Sequence, residues 1–72
     1  MFTYKIDVLE SLKEEGYSTS RIRKERLLSE GTLQAIRRGE VVGIKSLEKI
    51  CELLDMQPGN IIKYIENTQK KV

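Results

Sequence analysis

Residues 18–39 contain two short helical patterns separated by an abrupt turn, and this segment constrains the fold more than any other part of the chain. Its sequence is STSRIRKERLLSEGTLQAIRRG. It carries six basic and two acidic residues, a net charge of +4, whereas the whole chain carries only +2. A nearly neutral chain that gathers its positive charge on one pair of helices is suited to bind a polyanion.

The length of the chain, 72 residues, predicts a single domain spanning residues 1–72. Chains this short bury only roughly 60% of their unfolded surface, which leaves little room for an enclosed cleft beside the core. Hydrophobic residues make up 39% and charged residues 33% of the chain. This balance is typical of a globular domain and excludes a disordered segment.

Several kinds of chemistry are excluded by composition. The chain has one cysteine, Cys51, and no histidine, so it lacks the usual ligands of a zinc or iron–sulfur site. We see no nucleophile–base pair and no phosphate-binding glycine loop, and we therefore expect no enzymatic activity and no cofactor. No apolar run approaches the ~20 residues of a membrane span, and the charged N-terminal segment is unlike a signal peptide. A lone cysteine suits a reducing compartment, so we expect a cytoplasmic protein.

The hydrophobic pattern predicts five helices and no strand, an all-α fold. Their expected extents are residues 4–15, a short second helix that begins at Ser18 or Thr19, then 29–38, 44–55 and 58–65. Glycines and caps supply the boundaries: Gly16 and Gly39 end helices, Ser29 caps the third, and Pro58 suits the first position of the last. The helix pair occupies about residues 18–39, and a polar tail occupies about 67–72.

The third helix has two different faces when its residues are placed 100° apart. Leu33 and Ile36 fall on one side, and the opposite side holds only small or polar residues: Gly31, Gln34, Ala35 and Arg38. Gln pairs bidentately with adenine, Arg with guanine, and Ala contacts the thymine methyl group. This face is therefore suited to a DNA groove, although the same residues also suit an ordinary solvated helix surface.

Beyond these local patterns, the chain resembles the phage-repressor helix-turn-helix family of the Cro/cI (XRE-like) type. Ser29 matches the turn serine of that family, and Arg37-Arg38-Gly39 matches its basic-then-glycine helix ending. Residues 46–65 are similar to its fourth helix, turn proline and fifth helix. Four residues match its buried positions: Ile22, Leu28, Leu33 and Ile36. The resemblance covers about residues 4–66 and implies a compact five-helix lambda-repressor-like DNA-binding domain.

The resemblance also implies a function, that of a transcriptional regulator binding a double-stranded DNA operator with the third helix in the major groove. The implied base-contacting residues are Glu30, Gly31, Gln34, Ala35 and Arg38. The implied phosphate contacts are Thr19, Arg21, Thr32, Arg37 and Lys45, together with the free amides near Gly43 and Ile44. Glu30 has an equal alternative, because a carboxylate in the first turn of a helix also complements the helix dipole.

Partners can be predicted in outline. The apolar group Ile61, Ile62, Tyr64 and Ile65 exceeds what one helix face buries, so part of it is core and the rest is a candidate homodimer contact through the C-terminal helix. A dimer would read two half-sites. The chain has no room for a ligand-sensing domain, so we expect no small-molecule ligand. Minimal regulators of bacterial, phage or mobile-element origin are the expected class.

Two departures from the family pattern support a rival function. The family usually has a small residue where this chain has Arg23, which would have to lay its stem along the helix contact with its charge in solvent. It usually has glycine in the tight turn, where this chain has Leu27, so either Leu27 is left-handed at a cost of about 1–2 kcal/mol or the second helix ends differently. The rival is a protein-interaction or antitoxin-like module without specific DNA contacts.

Overall fold

The computed structural model describes residues 1–66, and the predicted polar tail lies outside them. The element order is β1 (Phe2–Tyr4), α1 (Val8–Glu14), α2 (Thr19–Lys24), α3 (Glu30–Arg38), α4 (Ile44–Leu54), α5 (Pro58–Ile61) and β2 (Ile62–Tyr64). Five helices were predicted and five are present among these residues. Of the described helices, none is both long and apolar enough to cross a bilayer.

The helix starts follow from side chains that accept bonds from free amides. Ser18 caps α2 and Ser29 caps α3, each hydroxyl accepting from the amide three residues on, at 3.2 and 3.1 Å. The predicted start of α1 at Tyr4 is wrong, because Asp7 is its cap: the carboxylate accepts from the amide of Glu10 at 3.1 Å. The helix therefore begins at Val8, and the residues before Asp7 are free to form a strand.

Four of the described helices end in one motif, in which an amide bonds back to a carbonyl five residues earlier around a left-handed residue. The left-handed residues are Gly16, Arg26, Gly39 and Asp55. Gly16 and Gly39 were predicted as stops and are confirmed. After α2 the left-handed residue is Arg26, with φ of 55°, so the alternative that placed Leu27 in this conformation is wrong.

The all-α prediction is wrong in one respect, because a two-stranded antiparallel sheet joins the two ends of the described chain. Its register pairs Phe2 with Tyr64, Thr3 with Lys63 and Tyr4 with Ile62. Aromatic and β-branched residues favour strands, and β1 consists entirely of them. The two strands are about sixty positions apart, so each depends on a partner that a local pattern does not reveal.

This sheet also corrects the predicted C-terminal helix. The structure ends α5 at Ile61 after one turn, with Pro58 at its start as predicted. Ile61 is fully buried, whereas Ile62 and Tyr64 belong to β2 and Ile65 follows it. The apolar group expected on one helix therefore divides between the core and the sheet.

One hydrophobic core holds the helices together, and it contains ten buried side chains: Val8, Leu12, Ile22, Leu28, Leu33, Ile36, Leu47, Ile50, Leu54 and Ile61. All four residues that matched the family's buried positions are among them. Leu27 and Cys51 pack against this core while remaining partly exposed. The core therefore holds α3 by the side that carries Leu33 and Ile36, and the opposite side of the helix is available to contact a partner.

Candidate nucleic-acid interface

The turn between α2 and α3 sets the position of the candidate binding helix. The amide of Arg26 bonds to the carbonyl of Arg23 at 3.2 Å, and the amide of Leu27 bonds to that of Ile22 at 3.0 Å. These two bonds enclose the left-handed Arg26, and Leu28 then enters the core. Leu27 packs beside the core, as the hydrophobic residue of this motif usually does.

The two faces predicted for α3 are present in the structure. Leu33 and Ile36 are buried, whereas Gly31 and Arg38 are exposed. Gln34 and Ala35 lie between these extremes and are half-buried. The side of α3 away from the core therefore carries two small residues, Gly31 and Ala35. It also carries the side-chain amide of Gln34 and the guanidinium of Arg38.

Glu30 does not stand alone on this surface. Its carboxylate accepts two bonds from the guanidinium of Arg23, at 2.9 and 3.0 Å, and a third from the side-chain amide of Gln34 at 3.2 Å. The bonds from Arg23, followed by the bond from Gln34, lower the pKa of Glu30. The Arg23 head that was expected to lie in solvent is thus paired across the two helices, although its side chain remains about half exposed.

Arg38 also has a carboxylate partner. Its guanidinium lies 3.1 Å from Glu40, whose pKa it lowers by hydrogen bonding and by charge. Both side chains are more than half exposed, so this pair is weakly held and open to competition from another anion. Arg37, the next basic residue on α3, is exposed and forms none of the ion pairs found within residues 1–66.

The predicted phosphate-contacting residues lie in different settings. Thr32 is half-buried, and its hydroxyl is shared with Ser29 at 2.9 Å and Ser46 at 3.1 Å, which ties α3 to α4. Lys45 is exposed in the first turn of α4, where Gly43 supplies no side-chain cap. The first amides of α4 are therefore not satisfied by a capping side chain.

Arg21, in the middle of α2, makes its contacts with groups other than the candidate base-contacting residues of α3. It donates to the carbonyl of Gly16 at 3.0 Å and pairs with Glu25 at 2.9 Å, and its guanidinium lies 4.9 Å from the centre of the Tyr17 ring. Thr19, in the first turn of α2, is half-buried. The structure therefore groups Glu30, Gln34 and Arg23, and holds Arg21 in a separate cluster.

Tyr4 is a residue of this region that sequence reasoning did not single out. Its hydroxyl donates to the carbonyl of Glu40 at 2.9 Å and accepts from the amide of Val42 at 3.2 Å. Burial raises the pKa of Tyr4, although the bond from Val42 acts against that increase. The side chain thereby anchors the loop between α3 and α4. Its position in the sequence, close to the N-terminus, gave no sign of this contact.

Comparison with known protein families gives a match. The sequence model of the Cro/C1-type HTH DNA-binding domain matches residues 7–67, which is most of the chain. Comparisons with curated proteins and with solved structures gave no significant match.

Proposed function

The chain belongs to the Cro/C1-type helix-turn-helix DNA-binding family, and from that membership we propose that it is a sequence-specific regulator of transcription that inserts α3 into the major groove. The observation that carries this proposal is the outward side of α3. Gly31, Gln34, Ala35 and Arg38 lie opposite the buried Leu33 and Ile36. Small residues permit close approach, and the amide and guanidinium match the edges of adenine and guanine.

Charge supports the same proposal. Residues 18–39 carry a net +4 in a chain of +2, so the positive field surrounds α2 and α3. Arg37, Lys45 and the uncapped amides at the start of α4 would contact phosphates and fix the register. The hydroxyl of Thr32 already bonds to Ser29 and Ser46, so a contact with phosphate would need an additional hydrogen bond from that hydroxyl.

Two features that had favoured a protein-interaction module carry less weight in light of the contacts around them. The turn after α2 is a regular left-handed ending at Arg26, with Leu27 packed beside the core. Arg23 is paired with Glu30 at the surface. Leu27 and Arg23 both have partners within the protein, so neither needs a second protein to satisfy it, which supports DNA binding over the rival.

The partner we propose on the protein side is a second copy of this chain, bound through the sheet instead of a C-terminal helix. Phe2 and Tyr64 are 58% and 65% exposed and form an edge-to-face pair with ring centres 5.7 Å apart. Reciprocal bonds join Met1 and Ile65. Hydrogen-bonded and non-hydrogen-bonded residue pairs alternate along an antiparallel ladder. Since Ile65 is in a bonded pair, the amide and carbonyl of the neighbouring Tyr64 point away from β1. Among residues 1–66 the sheet has two strands, so β2 has an open edge there, and an open edge beside an exposed aromatic pair favours strand pairing between two copies.

The salt dependence of binding to duplex DNA tests the proposed function. Each phosphate neutralised contributes about −0.9 to the slope of log affinity against log salt concentration. We expect a steep slope for the unmodified protein, a slope smaller in magnitude by about 0.9 for Arg37→Ala, and an unchanged slope for Lys13→Ala, a basic residue on α1 outside the helix pair. An affinity independent of salt, or no binding to duplex DNA, would favour the protein-interaction module.

A further inference from the structure

A chain of hydrogen bonds runs across the candidate interface from α2 to α3. Arg23, on α2, donates twice to the carboxylate of Glu30 at the start of α3. Glu30 then accepts from the side-chain amide of Gln34, one turn further along α3, at 3.2 Å. Of the three residues, only Gln34 carries the amide suited to adenine, and only Arg23 lies outside α3.

The contact with Glu30 determines which end of the Gln34 amide faces outward. An ionised carboxylate only accepts hydrogen bonds, so the nitrogen of the amide, and not its oxygen, must lie toward Glu30. One N–H of Gln34 is then used, and the carbonyl oxygen and the second N–H remain. Those two groups are the ones that adenine requires at N6 and N7. A Gln34 side chain without this contact could rotate and present its donor and acceptor in the opposite order.

Glu30 can hold this position near DNA only if its charge is compensated, since phosphates repel a carboxylate. The guanidinium of Arg23 forms two parallel bonds with it, a geometry that fixes the orientation of both groups. The same contact lowers the pKa of Glu30, which keeps the carboxylate ionised. Arg23 stands where the family usually has a small residue, and in this chain it holds the carboxylate of Glu30 in place.

We infer that Arg23 and Glu30 are positioning residues that set the base preference of Gln34 from outside the base contact. This inference rests on the proposed function. Arg23 holds Glu30, Glu30 fixes the orientation of the Gln34 amide, and the amide selects adenine at one position of the DNA site. The departure of this chain from the family pattern at Arg23 is then a determinant of specificity.

Selection of bound sequences from a random duplex pool tests this inference. We expect Arg23→Met and Glu30→Ala to lose the preference at the same base position that Gln34→Ala loses, by about 5-fold or more, with the other positions unchanged. Arg23→Lys retains the charge without the two parallel bonds and should restore part of the preference. The matched control is Lys24→Met, which removes an adjacent exposed charge and should weaken binding to all sequences equally.

A second measurement needs no DNA. In the unmodified protein, the side-chain amide resonances of Gln34 should follow the titration of Glu30, with a midpoint below the ordinary value for glutamate. Because Arg23 is the largest cause of the lowered pKa of Glu30, Arg23→Met should raise that midpoint.

The outcomes separate the two proposals. If the unmodified protein shows a base preference that Arg23→Met and Glu30→Ala retain, or if they lose it at a position other than that of Gln34→Ala, the inference is wrong and the proposed function stands. If the unmodified protein binds no duplex DNA, or binds all sequences equally, both are wrong. Gln34 resonances that do not respond to Glu30 would also contradict the inference.

Discussion

The hydroxyl of Tyr4 donates to the main-chain carbonyl of Glu40 across 36 positions of sequence, at 2.9 Å. The same oxygen accepts from the amide of Val42 at 3.2 Å. A residue of β1 therefore holds the loop that follows α3, and the sheet that joins the two ends of the described chain is connected to the candidate interface by one side chain.

Replacing Tyr4 with Phe should lower the free energy of unfolding by about 1–2 kcal/mol, because the partly buried amide of Val42 loses its acceptor. The difference should depend on pH. Burial raises the pKa of Tyr4 above 10.0, so its contribution is complete below that pH and is lost as the pH rises through the raised value. Urea unfolding of both proteins, at neutral pH and above pH 10.0, measures this. A constant difference across that range would contradict the assignment.

Replacing Arg26 with Gly should raise the free energy of unfolding by about 0.5–1 kcal/mol, because glycine adopts the left-handed conformation without the strain of a side chain. The matched variant is Leu27→Gly, one residue later. It should lower the free energy of unfolding by about 1–2 kcal/mol, since Leu27 packs against the core. Thermal denaturation of the pair locates the turn, and the opposite order of stabilities would move the left-handed residue to Leu27.

Replacing Gly31 with Ala should separate folding from binding. A β-carbon at this position would lie 3.9 Å from the hydroxyl of Ser29, an ordinary contact, and its backbone needs no glycine. The helix propensity of alanine should therefore raise stability by up to about 1 kcal/mol. If the backbone of α3 approaches the bases at Gly31, affinity for the selected duplex should fall at the same time. A more stable protein with unchanged affinity would remove Gly31 from the interface.

Replacing Tyr64 with Lys should abolish self-association and leave the monomer folded, because the side chain is 65% exposed and lies at the end of the sheet. Sedimentation velocity at increasing protein concentration measures this. Ile44→Lys is the matched control, since it places the same charge at an exposed apolar position on α4. A protein that remains monomeric at all concentrations, or an equal effect of both variants, would contradict the proposed sheet contact.

Features of this fold that depend on neighbouring residues could be predicted from the sequence. Ser29 caps α3 and Gly39 ends it because each acts on amides or carbonyls within one turn. The spacing of Leu33 and Ile36 similarly placed the buried side of α3. Of the two alternatives for the end of α2, a left-handed Leu27 or a different helix ending, the sequence could not select one, because the choice depends on which residue ends a six-residue helix.

Features that depend on distant partners could not be predicted. Ile61, Ile62 and Ile65 have a spacing that suits a helix, and only the pairing with β1 makes residues 62–64 a strand. The bonds from Arg23 to Glu30 join residues seven positions apart on two helices, and they depend on how those helices cross. Tyr4 meets Glu40 only because the sheet brings β1 beside the loop after α3.

The most direct test of the central claim, that the outward side of α3 contacts base edges in the major groove, is methylation interference on a selected duplex. Methyl groups at guanine N7 lie in the major groove, and those at adenine N3 lie in the minor groove. We predict that methylation of guanine N7 blocks binding of the unmodified protein. At one of these guanines, methylation should no longer reduce binding of the Arg38→Ala variant. Interference confined to adenine N3, or identical patterns for both proteins, would contradict the claim.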